Sequence, residues 1–124
     1  MSDSILIVDD SPSMLMSVEI MLGETSLAVH KAENGEQALE LLSGGLKPAM
    51  ILTDLNMGSL SGIDLVRAAR QLPGLGFTPI VLLTTESAQD MRNVAKAAGA
   101  TGWLTKPVEA EALLKIVRKL VPSA

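Results

Sequence analysis

The chain has no cysteine, no tyrosine, a single histidine and only two aromatic residues, Phe77 and Trp103. Without cysteine neither disulfides nor thiolate metal sites are available, and the redox compartment cannot be read from thiol usage. With so few rings the core has to be built from Leu, Ile, Val, Met and Ala, and Trp103 stands alone as a spectroscopic handle. Basic clusters are lacking too. A formal charge of -4 and a pI near 4.9 speak against a nucleic-acid surface, which needs Lys and Arg gathered on one face. The longest apolar run falls far short of the roughly 18 residues of a membrane span, and Met1-Ser2-Asp3-Ser4 has no positive leader region. A cytoplasmic location is expected, with neither nucleic acid nor membrane as a partner.

What is present is a 124-residue chain, 48% hydrophobic, of a length that suits one domain without an appended output module. Apolar runs of four or five residues alternate with longer segments of helical period, the pattern of an α/β fold with a parallel sheet covered on both faces. The spacing predicts strands over Ser4–Val8, Leu27–Lys31, Met50–Thr53, Ile80–Leu83 and Gly102–Leu104. It predicts helices over Ser13–Leu22, Gly35–Ser43, Gly62–Gln71, Ala88–Ala98 and Glu109–Val121. Pro12 and Ser13 are start signals for the first helix, Asn34 is an N-cap for the second, and Gly44-Gly45, Pro73-Gly74 and Gly99 are stops.

Three carboxylates follow directly on two of these strands. Ile5-Leu6-Ile7-Val8 leads into Asp9-Asp10, and Met50-Ile51-Leu52-Thr53 leads into Asp54. If the two strands are parallel neighbours, their carboxyl ends share the sheet edge where open α/β folds place their ligands. Two carboxylates about 4 Å apart repel by roughly 4 kcal/mol at an effective dielectric near 20, so three together require a cation or protonation. A divalent ion is the natural answer. Strands 4 and 5 deliver Thr84 and Lys106-Pro107 to the same edge.

On these motifs the chain resembles, end to end, the receiver domain of two-component response regulators, and within it the single-domain chemotaxis (CheY-like) type. The matching stretches are Ile5 to Ser11, Asp54-Leu55-Asn56-Met57, Leu83-Thr84-Thr85-Glu86, Gly99-Ala100-Thr101-Gly102-Trp103 and Lys106-Pro107. Five spaced motifs in order are a strong signal where one alone would be weak. The resemblance implies a (βα)5 flavodoxin-like, doubly wound sheet of strand order 2-1-3-4-5; that order is the one known for the chemotaxis receiver and is carried over from it. It implies that Asp54 is the phosphoacceptor, and that Asp9, Asp10, Asp54 and the backbone carbonyl of Asn56 hold Mg²⁺. Lys106 then supplies charge to the phosphoryl group, Thr84 is the switch hydroxyl, and Trp103 is the aromatic that turns inward with it. Asn56 and Glu86 fall at positions that tune dephosphorylation, and a cis bond at Lys106-Pro107 is implied as well. The chain departs from the family at Gly58, where proline is usual, at Val108, where phenylalanine is frequent, and in having Trp where Tyr or Phe is commoner.

So read, the protein is a signalling switch that catalyses its own phosphorylation and dephosphorylation and is otherwise not an enzyme. Its partners are a histidine kinase or histidine phosphotransfer domain and a separate target protein, for which flagellar or pilus motility is the expected setting, and the switch is expected to be monomeric. A relay or phosphate-sink role stays open. A Mg²⁺-dependent phosphohydrolase would place a second acid two residues after its nucleophile, where Asn56 follows Asp54 and Ser11 or Pro12 follows the first pair. A flavin carrier would put a phosphate against Asp9-Asp10 and ranks last.

Other features have ordinary readings beside functional ones. An Asp pair after a strand is often only a helix-start signal, and His30 is expected to face solvent. If Met14, Val18, Met21 and Leu22 form the buried stripe of the first helix, Leu15, Met16 and Ile20 face outward. Leu15 and Met16 are then either stray surface hydrophobes or part of the kinase-docking surface. Arg92, Asn93 and Lys96, with Trp103 and the last helix, form either a solvated face or the output face.

Overall fold

In a computed structural model of the chain, described over residues 3–55, 57, 60–85 and 89–124 and over side chains for all of these but 89–91, strands and helices alternate strictly. The order is β1 (Ser4–Val8), α1 (Pro12–Leu22), β2 (Ala28–Ala32), α2 (Gly35–Ser43), β3 (Met50–Asp54), α3 (Gly62–Arg70), β4 (Ile80–Thr84), α4 (Gln89–Ala98), β5 (Gly102–Thr105) and α5 (Ala110–Leu120). The sheet is parallel throughout, in the order β2-β1-β3-β4-β5. Predicted and observed bounds agree to within a residue or two; the predicted start of the fourth helix, Ala88, lies outside the described residues. Among the described residues, no helix is long and apolar enough to cross a membrane.

The central strands are apolar along their lengths and polar only toward their ends, because both faces are covered. Leu6, Val8, Ile51, Ile80 and Leu82 pack beneath α2, α3 and α4 with Ala38, Leu42, Val66 and Ala69. Ile5, Ile7, Met50, Leu52, Val81 and Leu83 face the other way, onto Leu15, Val18 and Leu22 of α1 and Leu113 and Val117 of α5. Full burial of such a side chain contributes about 1.5–3 kcal/mol, so the alternation along each strand locks its register. No ring takes part at full depth: Phe77 is 100% exposed and Trp103 is half-buried. Because β1 leaves toward β2 on one side while β3 lies on the other, the chain reverses winding between β1 and β3, which opens a crevice at their carboxyl ends.

Local signals place the helices that flank this crevice. The Ser11 hydroxyl accepts from the Met14 amide at 3.3 Å and Pro12 occupies the first turn, so α1 starts one residue before its predicted start. The outward orientation expected for Leu15 is corrected by the structure, where it is only 6% exposed. At 100° per residue, Met14, Leu15, Val18, Met21 and Leu22 all fall within an arc of about 120°, with Leu15 on the flank opposite the methionines. Met16 and Ile20 do face solvent, at 62% and 70% exposure. His30 is exposed on β2, as expected.

At the opposite edge of the sheet, Arg70 joins two loops. Its Nε and Nη2 donate to the Gly99 carbonyl at 3.1 and 2.8 Å, and its Nη1 donates to the Leu75 and Thr78 carbonyls at 2.8 and 2.6 Å. Gly99 closes α4 at φ +110°, which favours glycine, so the fork holds the end of α4 against the loop after α3. Burial lowers the pKa of this guanidinium without approaching neutrality of the side chain at physiological pH. Arg70→Ala is expected to cost about 2–3 kcal/mol, roughly 10 °C in the thermal midpoint, and Arg70→Lys to recover less than about half, since an ammonium cannot fork between the loops. A native midpoint for Arg70→Ala in thermal denaturation would contradict this.

Candidate functional site

Each acid is delivered by the end of a strand. β1 finishes at Val8, paired with Thr53 of β3, so Asp9 and Asp54 emerge side by side; the Asp9 amide donates to the Ala32 carbonyl at 3.1 Å. Asp9, Asp10 and Asp54 each offer a carboxylate oxygen, and these oxygens lie within 4.8 Å of one another. Asp9 and Asp54 are buried, and Asp10 is exposed at the rim. At that spacing each pair of charges repels by roughly 3 kcal/mol at a dielectric near 20. Three hard oxygen donors, one open to solvent, suit a small divalent cation that keeps several waters.

Lys106 is the resident counter-charge. Its backbone amide donates to the Thr84 carbonyl at 2.8 Å, and the next peptide bond, Lys106-Pro107, is cis. Its Nζ lies 3.1 Å from Asp54 Oδ1 and 3.3 Å from Asp9 Oδ2. Burial pulls the Lys106 pKa down, but the hydrogen bond to Asp54 and the charges of both acids outweigh it and the net shift is upward, so the ammonium is secure. The Asp9 carboxyl is pushed above its ordinary value of 3.8, chiefly by burial and also by the Asp54 charge, against the Ser11 amide and Lys106, which lower it. One cation does not satisfy the acids. For a carboxyl raised on folding, the native state binds the extra proton: the cost is absent below 3.8, grows as pH rises toward the folded value, and is fully present above that value.

The floor of the site is fixed by close backbone packing. The Thr53 hydroxyl reaches the Asp54 carbonyl at 3.1 Å and the sulfur of buried Met57 at 3.8 Å. The Gly62 amide donates to the Leu55 carbonyl at 2.8 Å, and a Cβ at Gly62 would lie 2.3 Å from the Asp54 carbonyl oxygen. Helix α3 can thus start directly behind β3 only with glycine there. Thr84 ends β4 next to β3, fully buried and one residue beyond the pairing of Asp54 with Leu83.

The structure therefore brings together Asp9, Asp10, Asp54, Lys106 and Thr84 at one edge. Asn56, Gly58 and Glu86 lie outside the described residues. Trp103 sits farther along β5, where the Arg92 guanidinium stands over its ring at 5.8 Å. It lines two cavities, one of about 330 Å³ with Arg92, Lys96 and Thr101, and one of about 440 Å³ with Lys106, Pro107 and Val108. Among the described residues its Nε1 is a buried donor with no partner. Sequence reasoning named both Arg92 and Trp103 but not their stacking, which no spacing between α4 and β5 reveals. It missed Gly62, whose signal is only a glycine opening a helix. Leu15 belongs to the core and leaves Met16 alone of the two expected docking residues at the surface.

Comparison with known proteins agrees with this geometry. The response regulator receiver domain matches residues 5–118. Protein PilH of Pseudomonas aeruginosa is 34% identical over 117 residues, covering 94% of this chain and 96% of PilH. The crystal structure of the Vibrio cholerae chemotaxis protein CheY4 shares 36% identity at a TM-score of 0.91, covering 98% of this chain and all of that one. The receiver domain of the sensor histidine kinase PA1611 of P. aeruginosa shares 27% identity at a TM-score of 0.87, covering 99% of this chain and 100% of that one; it was solved with a magnesium ion coordinated in its active-site cleft. With its acids, threonine and lysine on one sheet edge and its strand order that of CheY structures, this chain belongs to the response regulator receiver domain family.

Proposed function

We propose that the chain is a stand-alone phosphoacceptor of a two-component system, phosphorylated on Asp54 by a histidine kinase or histidine phosphotransfer domain and acting on a separate target in chemotaxis or motility. The observation that carries this reading is Asp54 held at 3.1 Å from Lys106 within a cluster of three carboxylates. A carboxylate oxygen of Asp54 attacks the phosphorus of a phosphohistidine in line; the new P–O bond forms as the P–N bond breaks, and the imidazole leaves. Lys106, already poised between Asp9 and Asp54, is the charge within reach of the incoming phosphoryl oxygens. Asp9, Asp10, Asp54 and the backbone carbonyl of Asn56 would hold Mg²⁺, and the acid cluster fits such an ion. When bound, Mg²⁺ supplies positive charge to the carboxylates and to the phosphoryl oxygens.

Readout passes along the sheet edge. Thr84 is the hydroxyl that hydrogen-bonds the phosphoryl group, and Asn56 and Glu86 set how fast water removes it. Trp103 borders cavities on two sides, which gives the indole room to move with Thr84. The phosphoryl group biases this equilibrium by its differential interaction with the two states. Arg92 and Lys96, exposed beside Trp103, offer the face that changes affinity for the target, while exposed Met16 and Ile20 on α1 offer the apolar contact for the kinase.

Fluorescence of Trp103 tests the reading: it should respond to Mg²⁺, then change again with a small phosphodonor such as acetyl phosphate, and the second change should vanish in Asp54→Asn. A phosphodonor response that survives in Asp54→Asn would sink it. The burden on Asp9 generates a second expectation. In chelator at neutral pH, Asp9→Asn should melt about 3 °C or more above the native protein, and saturating Mg²⁺ should raise only the native midpoint. Equal Mg²⁺ stabilisation of both would show that Asp9 is no ligand.

A further inference from the structure

Trp103, the half-buried ring on β5, has little that is directional to hold it. The indole leans on the core beneath α4, but it borders a cavity on either side, and among the described residues its buried Nε1 donor has no acceptor. Apolar burial is non-directional, so it does not fix the orientation of the ring. The directional contact that the ring does have is Arg92, whose guanidinium stands over it at 5.8 Å. Arg92 is not placed there to suit its own helix. It lies in the first turn of α4, the end that favours anions, and four residues before Lys96, a like charge on the same side. Among the described residues it forms no ion pair.

Strand register puts this ring beside the switch hydroxyl. Trp103 pairs with Leu82, and Leu82 and Thr84 alternate to the same face of β4, the one that α4 covers. Trp103 and Thr84 are therefore diagonal neighbours on adjacent strands, with backbones about 8 Å apart, a gap that an aromatic side chain spans. We propose that Arg92 is a positioning residue for Trp103: stacked on the ring, it latches the indole against α4 and so opposes its movement toward Thr84. The coupling of the latch to phosphorylation rests on the phosphoacceptor reading above; the latch itself does not.

Two readouts separate these, with circular dichroism to verify that each variant folds. The nanosecond anisotropy decay of Trp103 fluorescence reads the hold on the ring in the metal-free protein. Calorimetric titration with beryllofluoride, a stable mimic of an acyl phosphoryl group, in the presence of Mg²⁺ reads the coupling. Since the mimic favours the moved ring and the latch opposes it, releasing the latch tightens binding. Arg92→Ala should quicken the indole motion and tighten beryllofluoride binding by about two- to fivefold, the range of an exposed cation-π contact. Arg92→Gln should do the same and Arg92→Lys less, because an ammonium stacks less well than a guanidinium. Simple loss of a cation near an anion site weakens binding instead, so the sign separates latch from charge. In a Trp103→Leu background, Arg92→Ala should bring no gain. Native anisotropy decay in Arg92→Ala, unchanged or weaker beryllofluoride binding there, or an equal gain without the indole overturns the proposal. A native protein that neither binds beryllofluoride nor accepts a phosphoryl group from acetyl phosphate would defeat the phosphoacceptor reading, and the anisotropy decay would then decide the latch by itself.

Discussion

Like-charge repulsion among Asp9, Asp10 and Asp54 is the constraint on which the functional edge depends. The fold forces these groups within 4.8 Å of one another and buries two of them, so the site is electrostatically incomplete by itself. Lys106 offsets part of the repulsion by bridging Asp9 and Asp54. Burial first, and the Asp54 charge after it, still hold the Asp9 carboxyl above its ordinary range. A site of this kind is a sink for positive charge, and the stability it forgoes when empty becomes affinity when filled.

The sheet is what makes such crowding possible. Apolar residues on both faces of β1, β3 and β4 fix strand registers, and register fixes where each acid emerges. Behind the edge, the same residues that close the structure pack against the end of β3. Gly62 allows α3 to abut the Asp54 carbonyl, Met57 is buried against the Thr53 hydroxyl, and the Arg70 fork holds the distal end of α4 to the loop after α3. With one end of α4 secured by Gly99, the Arg92 and Trp103 pair stands at the surface between two cavities, on the side of the molecule where β5 carries the Lys106 loop.

Much of this was legible in the sequence, for a physical reason. Strands buried on both faces read as apolar runs, and a polar residue just after such a run is conspicuous because it breaks the pattern at the sheet edge; Asp9, Asp10, Asp54, Thr84 and Lys106 all stand at such positions. The phase of α1 was less legible. Its apolar arc is wider than a four-residue stripe, so Leu15, at the flank, was assigned to solvent when it belongs to the core. Contacts between elements distant in sequence were not legible at all. Arg70 reads only as a base favoured by a helix C-terminus, yet it reaches carbonyls on two loops; Gly35 reads as a helix start, yet it makes room for Leu60. Such roles depend on what the fold brings opposite a residue.

The central claim is that Asp54, among three crowded carboxylates, is the one that takes the phosphoryl group. Intact mass after exposure to acetyl phosphate and Mg²⁺, followed by peptide mapping of the modified protein, tests it most directly. The account predicts a single added phosphoryl group, located on the peptide that carries Asp54 and discharged when Mg²⁺-containing buffer is left to hydrolyse it. An unmodified protein, or a stable label on Asp9 or Asp10 in place of Asp54, would contradict it.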